Sequence, residues 1–454
     1  MKLKLMADAK SLSETKSIFG HPPGLYVLFF TELWERFSYY GMRALFTLFL
    51  VAKTNTDNPG FGWTNSEAIS LYGWYTMLVY LASVPGGWIA DNLLGQKKTV
   101  MLGGILLCVG HTILAFDTEF SFYLGCFFVI LGVGGLKPNI SSMVGGLYPK
   151  GDERRDLGFY IFYMGINIGG FAAPILCGWV GETYNWHYGF GLAAIGMFIG
   201  QITYFYGQKY LVGVGDFIGK ESHPDRELRK RKLTAVEKDR VKVLLISFLL
   251  IIFFWGAFEQ AGGLMNLYAK QKTDRMLMGM EIPASWFQSL NSFFIITLAV
   301  GVGGFWMRWK LKGKEASSLY KIAIGILIMG MGFLFMRFAA VDYEVAGKSA
   351  MYWLVLAYLF HTIGELCASP VSLSFITKLA PVKYAASIMG LYWAATGLGN
   401  KLAASIGGYA ETAGEKQIFT GIFIFCTLIA ISVILLLKPL KRLTHGAEDL
   451  KKAQ

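Results

Sequence analysis

The chain has 454 residues, a formal net charge of +12 and 54% hydrophobic residues, but only 16% charged residues. A soluble globular chain averages about 25% charged residues, so a soluble enzyme of this length, which needs charged faces on most of its helices, is excluded. The lysines and arginines lie in short segments between long apolar runs, a pattern that encodes membrane topology and argues against a nucleic-acid partner.

A bilayer core about 30 Å thick needs about 20 apolar residues per helix. That length predicts twelve spans in chain order, at roughly 25–51, 68–90, 100–116, 122–144, 158–180, 188–211, 241–265, 284–306, 318–338, 350–376, 385–408 and 417–437. The polar start of the chain carries four lysines before residue 20, so the first apolar run is expected to be a retained helix and not a secretory signal. All five cysteines lie in apolar runs without metal-ligand spacing and are expected to be small core residues.

Basic residues alternate between the predicted loops. One set, which contains both termini and the loops 91–99, 145–157, 212–240, 307–317 and 377–384, holds about thirty Lys and Arg residues, and the opposite set holds about seven. This bias predicts that both termini are cytoplasmic, which requires an even number of spans. The partner that surrounds these helices is a lipid bilayer, and a bacterial cytoplasmic (inner) membrane is expected.

A charged segment of about 29 residues divides the chain. It contains Arg229-Lys230-Arg231-Lys232 and separates halves of similar length. Gly86-Gly87 with Lys97-Lys98 follows the second span, and Gly303-Gly304 with Arg308 and Lys314 weakly repeats this pattern after the eighth. We therefore predict an all-α membrane protein with two six-helix bundles, the major facilitator fold. The expected divisions are an N-terminal bundle 1–211, a cytoplasmic linker 212–240, a C-terminal bundle 241–437 and a cytoplasmic tail 438–454.

The first span carries a continuous polar stripe. Its members fall at i, i+3, i+4, i+7, i+8 and i+11: Glu32, Glu35, Arg36, Tyr39, Tyr40 and Arg43. A charge at mid-bilayer costs at least ~2.5–3.5 kcal/mol, so the stripe is expected to face protein or a watery cavity. A salt-bridged packing seam is the alternative interpretation.

Further ionisable residues lie inside predicted spans. Lys137 sits between Gly134-Gly135 and Pro138, where a distorted backbone could approach a ligand. Glu259 and Glu365 are isolated carboxylates of the second half, for which a structural ion pair is the alternative. Lys401 lies nearer a span end, where snorkelling would explain it.

Catalytic and metal signatures are missing from the sequence. His361 shares a helix face with Glu365, but no third and fourth metal ligand accompanies them. No nucleophile elbow, P-loop or dinucleotide fingerprint occurs. We expect no metal, no cofactor and no enzymatic activity, and the sequence does not reveal the oligomeric state.

The stripe Glu32-Leu33-Trp34-Glu35-Arg36-Phe37-Ser38-Tyr39-Tyr40-Gly41 resembles the ExxERFxYYG motif of the proton-dependent oligopeptide transporter family. Phe162-Tyr163-Met164-Gly165-Ile166-Asn167-Ile168-Gly169 is similar to its second signature, FYxxINxG. Further similar segments are Gly135-Leu136-Lys137-Pro138-Asn139, Phe258-Glu259-Gln260-Ala261-Gly262 and Gly364-Glu365 with Ser369-Pro370. These matches run in family order along nearly the whole chain.

The resemblance implies an alternating-access symporter that carries di- and tripeptides with protons. It implies that Arg43 and Lys137 bind the peptide carboxylate, and that Glu365, Asn167 and Asn291 bind the amino group. It implies side-chain pockets lined by Tyr39, Tyr40, Tyr80, Tyr163, Trp255 and Trp393, with Ser369 beside the amino-group site. Proton coupling would involve Glu32, Glu35 and Arg36, with Glu259 as the next candidate.

The distribution of buried charge agrees with this resemblance. The first half supplies buried cations, Arg36, Arg43 and Lys137, and the second half supplies Glu259 and Glu365. A cavity with one positive and one negative wall would suit a zwitterion. Transport of another small anion or zwitterion is the main alternative. A membrane enzyme, receptor or channel is a weaker alternative, because no catalytic constellation or attached soluble domain is present.

The sequence also departs from the family pattern. Gly73 stands where animal members carry a histidine, so coupling through that histidine is excluded. Asn291 precedes Ser292, whereas a proline often follows this asparagine in the family. The central segment is too short and too charged for the two extra helices of many bacterial members, which favours twelve spans over fourteen.

Overall fold

The computed structural model describes residues 17–149, 152, 154–217, 232–381 and 384–447. The described residues form two compact units. Of these residues, the first unit contains those up to Phe49, Thr54–Phe61 and those from Leu78 to residue 217, and the second contains Leu50–Lys53, Gly62–Met77 and those from residue 232 onward. The predicted motif Arg229-Lys230-Arg231 and the end of the predicted tail, 448–454, lie outside the described residues.

Long helices dominate the first half of the chain. In order they are α1 Pro23–Val51, α2 Asn65–Leu81, α3 Ser83–Ile89, a π-helical turn Ala90–Leu94, α4 Gln96–Leu114, α5 Glu119–Gly146, α6 Arg154–Thr183, α7 Trp186–Gly207 and a 3-10 turn Gln208–Tyr210. Within the first unit, α4 packs against α5 and α7, and α6 packs against α7. Phe37 of α1 belongs to a buried cluster with Ala173, Cys177 and Ala193.

The second half adds the remaining helices and four very short strands. They are α8 Ala235–Phe258, a 3-10 turn Glu259–Ala261, α9 Leu264–Gln271, β1 Thr273–Asp274, β2 Met276–Leu277, β3 Met280–Glu281, α10 Trp286–Leu311, α11 Ser318–Ala346, β4 Ser349–Ala350, α12 Tyr352–Leu379, α13 Ala385–Gly408, α14 Ala410–Ala413, α15 Glu415–Leu435 and α16 Leu437–Leu443. β1 pairs in parallel with β4, and β2 pairs in antiparallel fashion with β3. Helix α11 packs against α12 and α15, and α13 packs against α8.

Two predicted spans are broken in the structure. The predicted span 68–90 divides into α2 and α3, because Pro85 lacks a backbone N–H and its ring would clash with the carbonyl of Leu81, the last residue of α2. The predicted span 241–265 ends its regular α-helix at Phe258 and continues through a 3-10 turn into α9. Both breaks fall beside residues of the candidate site described below.

The glycine pairs of the two halves lie inside helices. Gly303 and Gly304 lie inside α10 and not in a loop, because the helix continues to Leu311. Gly86 and Gly87, in the corresponding position of the first half, lie inside α3. At Gly86 the reason for glycine is steric, since a Cβ there would overlap the backbone carbonyl of Gly134 on α5.

The all-α membrane fold is confirmed. Counting each broken span once, the described residues contain twelve long helical segments, and nine helices among them are long and apolar enough to cross a membrane. Helix α1 is not among the nine because its stripe of four charges exceeds what an apolar span contains, and α2 is only 17 residues long. The predicted domain divisions remain a prediction.

Candidate functional site: buried charges of the two units

A buried ion-pair cluster lies on α1. The carboxylate of Glu35 accepts two hydrogen bonds from the guanidinium of Arg36, one from Nε to Oε2 and one of 2.6 Å from Nη2 to Oε1. Oε1 of Glu32 lies 3.3 Å from Nε of the same arginine. All three residues are at most 3% exposed, so water screens these charges weakly. Removing one member of such a cluster would leave a buried charge without compensation.

One oxygen of this cluster has no partner. Oε2 of Glu32 is buried and accepts no hydrogen bond from the residues that the structure describes. A buried ionised carboxylate with an unsatisfied oxygen is costly, and protonation would remove that cost. Glu32 is therefore the member of the cluster whose environment most favours a change of protonation state.

Tyrosine rings extend the cluster along α1. The Arg36 guanidinium carbon lies 5.1 Å from the ring centroid of Tyr39 and 5.9 Å from that of Tyr40. The guanidinium carbon of Arg43 lies 5.6 Å from the Tyr40 ring on its other side along the helix. All three contacts fall in the range of cation–π attraction. Along the predicted stripe, the guanidinium groups of Arg36 and Arg43 therefore contact the tyrosine rings that lie between them.

Lys137 belongs to the same unit and faces a tyrosine. Its Nζ lies 4.0 Å from the ring centroid of Tyr80 on α2, and its charge also attracts Glu32. Helix α5 continues through Pro138 to Gly146, so the expected backbone distortion does not end the helix. The structure thus links Lys137 electrostatically to the cluster on α1.

Asn167 and Tyr163 lie one turn apart on α6. The Asn167 side-chain amide donates a 2.9 Å hydrogen bond to the backbone carbonyl of Tyr163. Asn167 is 4% exposed, whereas Tyr163 is 41% exposed. The bond to the backbone fixes the orientation of the Asn167 amide, so that its oxygen has a defined direction.

In the second unit, Glu365 is not an isolated carboxylate. The Asn291 amide nitrogen of α10 donates to Glu365 Oε2 at 2.7 Å and to Thr362 Oγ1 at 3.1 Å. Thr362 is fully buried and donates in turn to the backbone carbonyl of Tyr358 at 2.7 Å. The amide that holds this carboxylate comes from another helix, 74 residues away in sequence, so the structure brings together two of the residues predicted for the amino-group site.

Glu259 is likewise paired. It is 6% exposed and accepts a hydrogen bond from the hydroxyl of Tyr72 on α2. The next residue, Gln260, donates to the backbone carbonyl of Ala403 on α13 at 2.8 Å. Lys401 of α13 lies 4.5 Å above the ring of Trp74 and 3.5 Å from the carbonyl of Ser70. Through these contacts, the residues of α2 that belong to the second unit pack against the 3-10 turn after α8 and against α13.

The remaining predicted residues are aromatic or small. Trp255 packs edge-on against Phe258 at a ring-centroid distance of 5.2 Å, and Trp393 packs edge-on against Tyr392 at 5.1 Å. Both tryptophans are half-buried. The backbone carbonyl of Ser369 accepts a 2.8 Å bond from the Ser372 hydroxyl.

Sequence reasoning did not identify Tyr72 and Thr362. Tyr72, Thr76 and Tyr80 recur at four-residue intervals, which places them on one face of α2. That spacing was visible in the sequence and could have identified Tyr72. Thr362 has no comparable pattern, because a single buried threonine on a helix usually bonds only to its own backbone.

Comparison with known proteins agrees with this geometry. A family model described as "PTR2: POT family" matches residues 97–215 and 218–420. The chain is similar to the peptide transporter YePEPT of Yersinia enterocolitica, with 37% identity over 95% of the chain and 97% of the relative. It is 33% identical to a di-/tripeptide transporter of Lactococcus lactis, over 96% of the chain and 99% of that relative.

Solved structures resemble this chain closely. A peptide transporter POT in complex with sulfate superposes with a TM-score of 0.88 at 32% identity, over 96% of this chain and 99% of that one. A POT family transporter in complex with 5-aminolevulinic acid gives a TM-score of 0.86 at 30% identity, over 94% and 98% of the two chains. Buried ion pairs in an apolar helical fold, together with these matches, define a multi-pass membrane transporter.

The chain belongs to the POT family. The predicted family is therefore confirmed, and with it the membrane-spanning transporter class. The roles of individual site residues remain predictions.

Proposed function

We propose that the protein imports di- and tripeptides together with protons by alternating access. The observation that carries this proposal is the α1 cluster, in which two carboxylates share one guanidinium inside an apolar bundle. Structural stability alone does not require such a cluster, because well-packed apolar residues would serve equally well. Relatives that share 33% and 37% identity with the chain are named di-/tripeptide and peptide transporters.

Each charged group of a peptide has a counterpart among these residues. In this proposal Arg43 and Lys137 bind the carboxylate, since guanidinium and ammonium groups form charge-assisted hydrogen bonds with it. Glu365 binds the amino group, and Asn291 and Asn167 add amide oxygens. The tyrosines and tryptophans named above accept varied side chains, because aromatic rings offer large contact areas with few torsions.

Proton coupling is assigned to the α1 cluster. A proton on Glu32 would neutralise its carboxylate and leave Glu35 as the sole counter-charge of Arg36. Binding of a proton and of a substrate carboxylate thus change the same electrostatic balance, which lets each favour the other. Glu259, whose bond to Tyr72 can respond to protonation in the same way, is the second candidate.

The proposal includes a location and a topology. The protein lies in the bacterial cytoplasmic membrane, with both termini and the segment 212–240 on the cytoplasmic side. The warrant is the excess of Lys and Arg in one set of loops. A single cysteine introduced at Lys232 in a variant lacking the five native cysteines should react with an impermeant thiol reagent only in inside-out vesicles. Labelling in right-side-out vesicles would refute the topology.

Transport itself is tested in proteoliposomes. With an inward proton gradient, labelled dipeptide should accumulate above the external concentration, and with no gradient it should only equilibrate. Equal accumulation with and without the proton gradient would refute proton coupling. A non-peptide amino acid such as 5-aminolevulinic acid, bound by one solved relative, tests the alternative that another small zwitterion is the substrate. Uptake of that compound without any peptide uptake would favour the alternative.

A further inference from the structure

Six exposed cations lie on two segments of the second unit that an ion pair joins. Lys310, Lys312 and Lys314 lie at the end of α10 and in the turn that follows, and Lys438, Lys441 and Arg442 lie on α16. We call these six residues the basic rim. A 2.7 Å ion pair between Lys441 Nζ and Glu315 Oε2 joins its two halves. The rim therefore joins two segments that are far apart in sequence, since Lys441 and Glu315 are separated by 126 residues.

Helix α16 is held in place by its own contacts. Leu437 and Leu440 are buried, and Arg240 donates to the backbone carbonyl of Thr444 at 3.1 Å. Partial burial raises the pKa of Glu315, but hydrogen bonds from Lys441 and Ser317 outweigh that effect and hold the pKa below its usual range. Glu315 is therefore ionised at neutral pH and the link to Lys441 is intact. These contacts hold the cations of the rim in a folded arrangement.

Aromatic side chains place the rim at the level of lipid headgroups. Trp309 donates its indole N–H to the backbone carbonyl of Glu315 at 2.9 Å, and Lys314 Nζ lies 4.2 Å from its ring centroid. Phe305 and Trp306 pack beside Trp309, one turn further into the apolar helix. Tryptophan is enriched where a membrane-spanning helix leaves the hydrocarbon core, so the cations just beyond it face headgroups.

We propose that the basic rim is a binding surface for anionic phospholipids of the surrounding bilayer. The six exposed cations outnumber the two paired carboxylates beside them, Glu315 and Asp239, and so complement the charge of phosphatidylglycerol. Their position just beyond Trp309 is the depth expected for its phosphate. The positive-inside rule accounts for basic loops in general, but it does not require cations from two separated segments to be joined by a folded turn and an anchored helix. The inference does not rest on the proposed transport function.

The perturbation is designed to leave the fold intact. The rim variant carries Lys312→Gln, Lys438→Gln and Arg442→Gln, and it retains the Lys441–Glu315 pair and the Lys314–Trp309 contact. A control variant removes the same charge at three exposed lysines outside the rim, with Lys98→Gln, Lys209→Gln and Lys348→Gln. A third variant keeps the rim charge through Lys312→Arg, Lys438→Arg and Arg442→Lys.

The measurement uses full-length protein in phosphatidylcholine bilayers that contain a minor fraction of phosphatidylglycerol. Electron spin resonance of spin-labelled phosphatidylglycerol and phosphatidylcholine gives the relative association of each lipid with the protein. A cation near the membrane surface contributes about fivefold in local enrichment of anionic lipid. The wild type should prefer phosphatidylglycerol, and the rim variant should lose at least about fivefold of that preference.

The remaining outcomes decide the proposal. The control and charge-keeping variants should retain the preference, and high salt should abolish it in the wild type. An unchanged preference in the rim variant overturns the proposal, and an equal loss in the control variant overturns it in favour of net charge alone. Competition by free glycerol phosphate at the concentration of the lipid would show that the surface binds soluble phosphate and would overturn the assignment to the bilayer.

Discussion

Glu365→Gln tests whether the amide-held carboxylate of the second unit recognises a substrate amine. The substitution removes one charge and little else, because the glutamine oxygen can still accept the bond that Asn291 now donates to Glu365 at 2.7 Å. Truncating a hydrogen-bonded charge pair costs about 2–5 kcal/mol. Glu365 is half-buried rather than fully buried, so the lower end applies, about 2 kcal/mol or roughly thirtyfold in affinity.

The assay compares two proteins with two ligands. Binding of a free dipeptide and of its N-acetylated analogue is measured by competition with a labelled peptide, in wild type and in Glu365→Gln. The free dipeptide should lose roughly thirtyfold in affinity, and the acetylated ligand, which lacks the ammonium group, far less. Glu344→Gln, an exposed carboxylate paired with Lys416, is the matched control and should change neither affinity. Equal losses for both ligands would show that Glu365 serves packing or gating, and would refute the reasoning.

Three further outcomes are expected. Arg43→Ala and Lys137→Ala should each cut peptide uptake severely while folded protein remains in the membrane; normal uptake by both would exclude them as the carboxylate site. Glu32→Gln, which alters the carboxylate that is assigned the proton, should keep peptide exchange across the membrane but lose gradient-driven accumulation. Unchanged accumulation in both Glu32→Gln and Glu35→Gln would place coupling elsewhere. Tyr72→Phe should lower the thermal unfolding midpoint in detergent, because Glu259 loses a buried donor worth about 1–3 kcal/mol; the same change at an exposed tyrosine should not.

The sequence predicted most of the fold because membrane helices obey a simple rule of length and polarity. Apolar runs separated by basic loops gave helix positions that α13, at Ala385–Gly408, reproduces residue for residue. The break between α2 and α3 was missed because its cause is local stereochemistry at Pro85, and mean hydropathy does not sense it. The end of regular helix at Phe258 was missed because the apolar run resumes at Leu264, so mean hydropathy averages over the short interruption from Glu259 to Gly263.

Some features of the candidate site could be predicted from the sequence, and others could not. The stripe on α1 was predictable because its members share one helix and a fixed spacing. Tyr72, the partner of Glu259, was not, because it reaches the carboxylate from a distant segment. Asn291 was placed with Glu365 only through the family resemblance. A single sequence shows which charges must be compensated in a membrane, but the compensating group is fixed only by packing between helices.

The space around Gly73, where animal members of the family carry a histidine, limits which substitutions this chain can accept. A Cβ at this position would overlap the methyl group of Ala404 on α13, so helices α2 and α13 meet here without room for any side chain. The histidine of the animal lineage therefore could not arise in this protein by one tolerated substitution. Residue 404 would have to shrink first, or the two helices would have to separate. Positions 73 and 404 are thus expected to vary together among descendants. A histidine at position 73 would be tolerated only after a second change makes room for it.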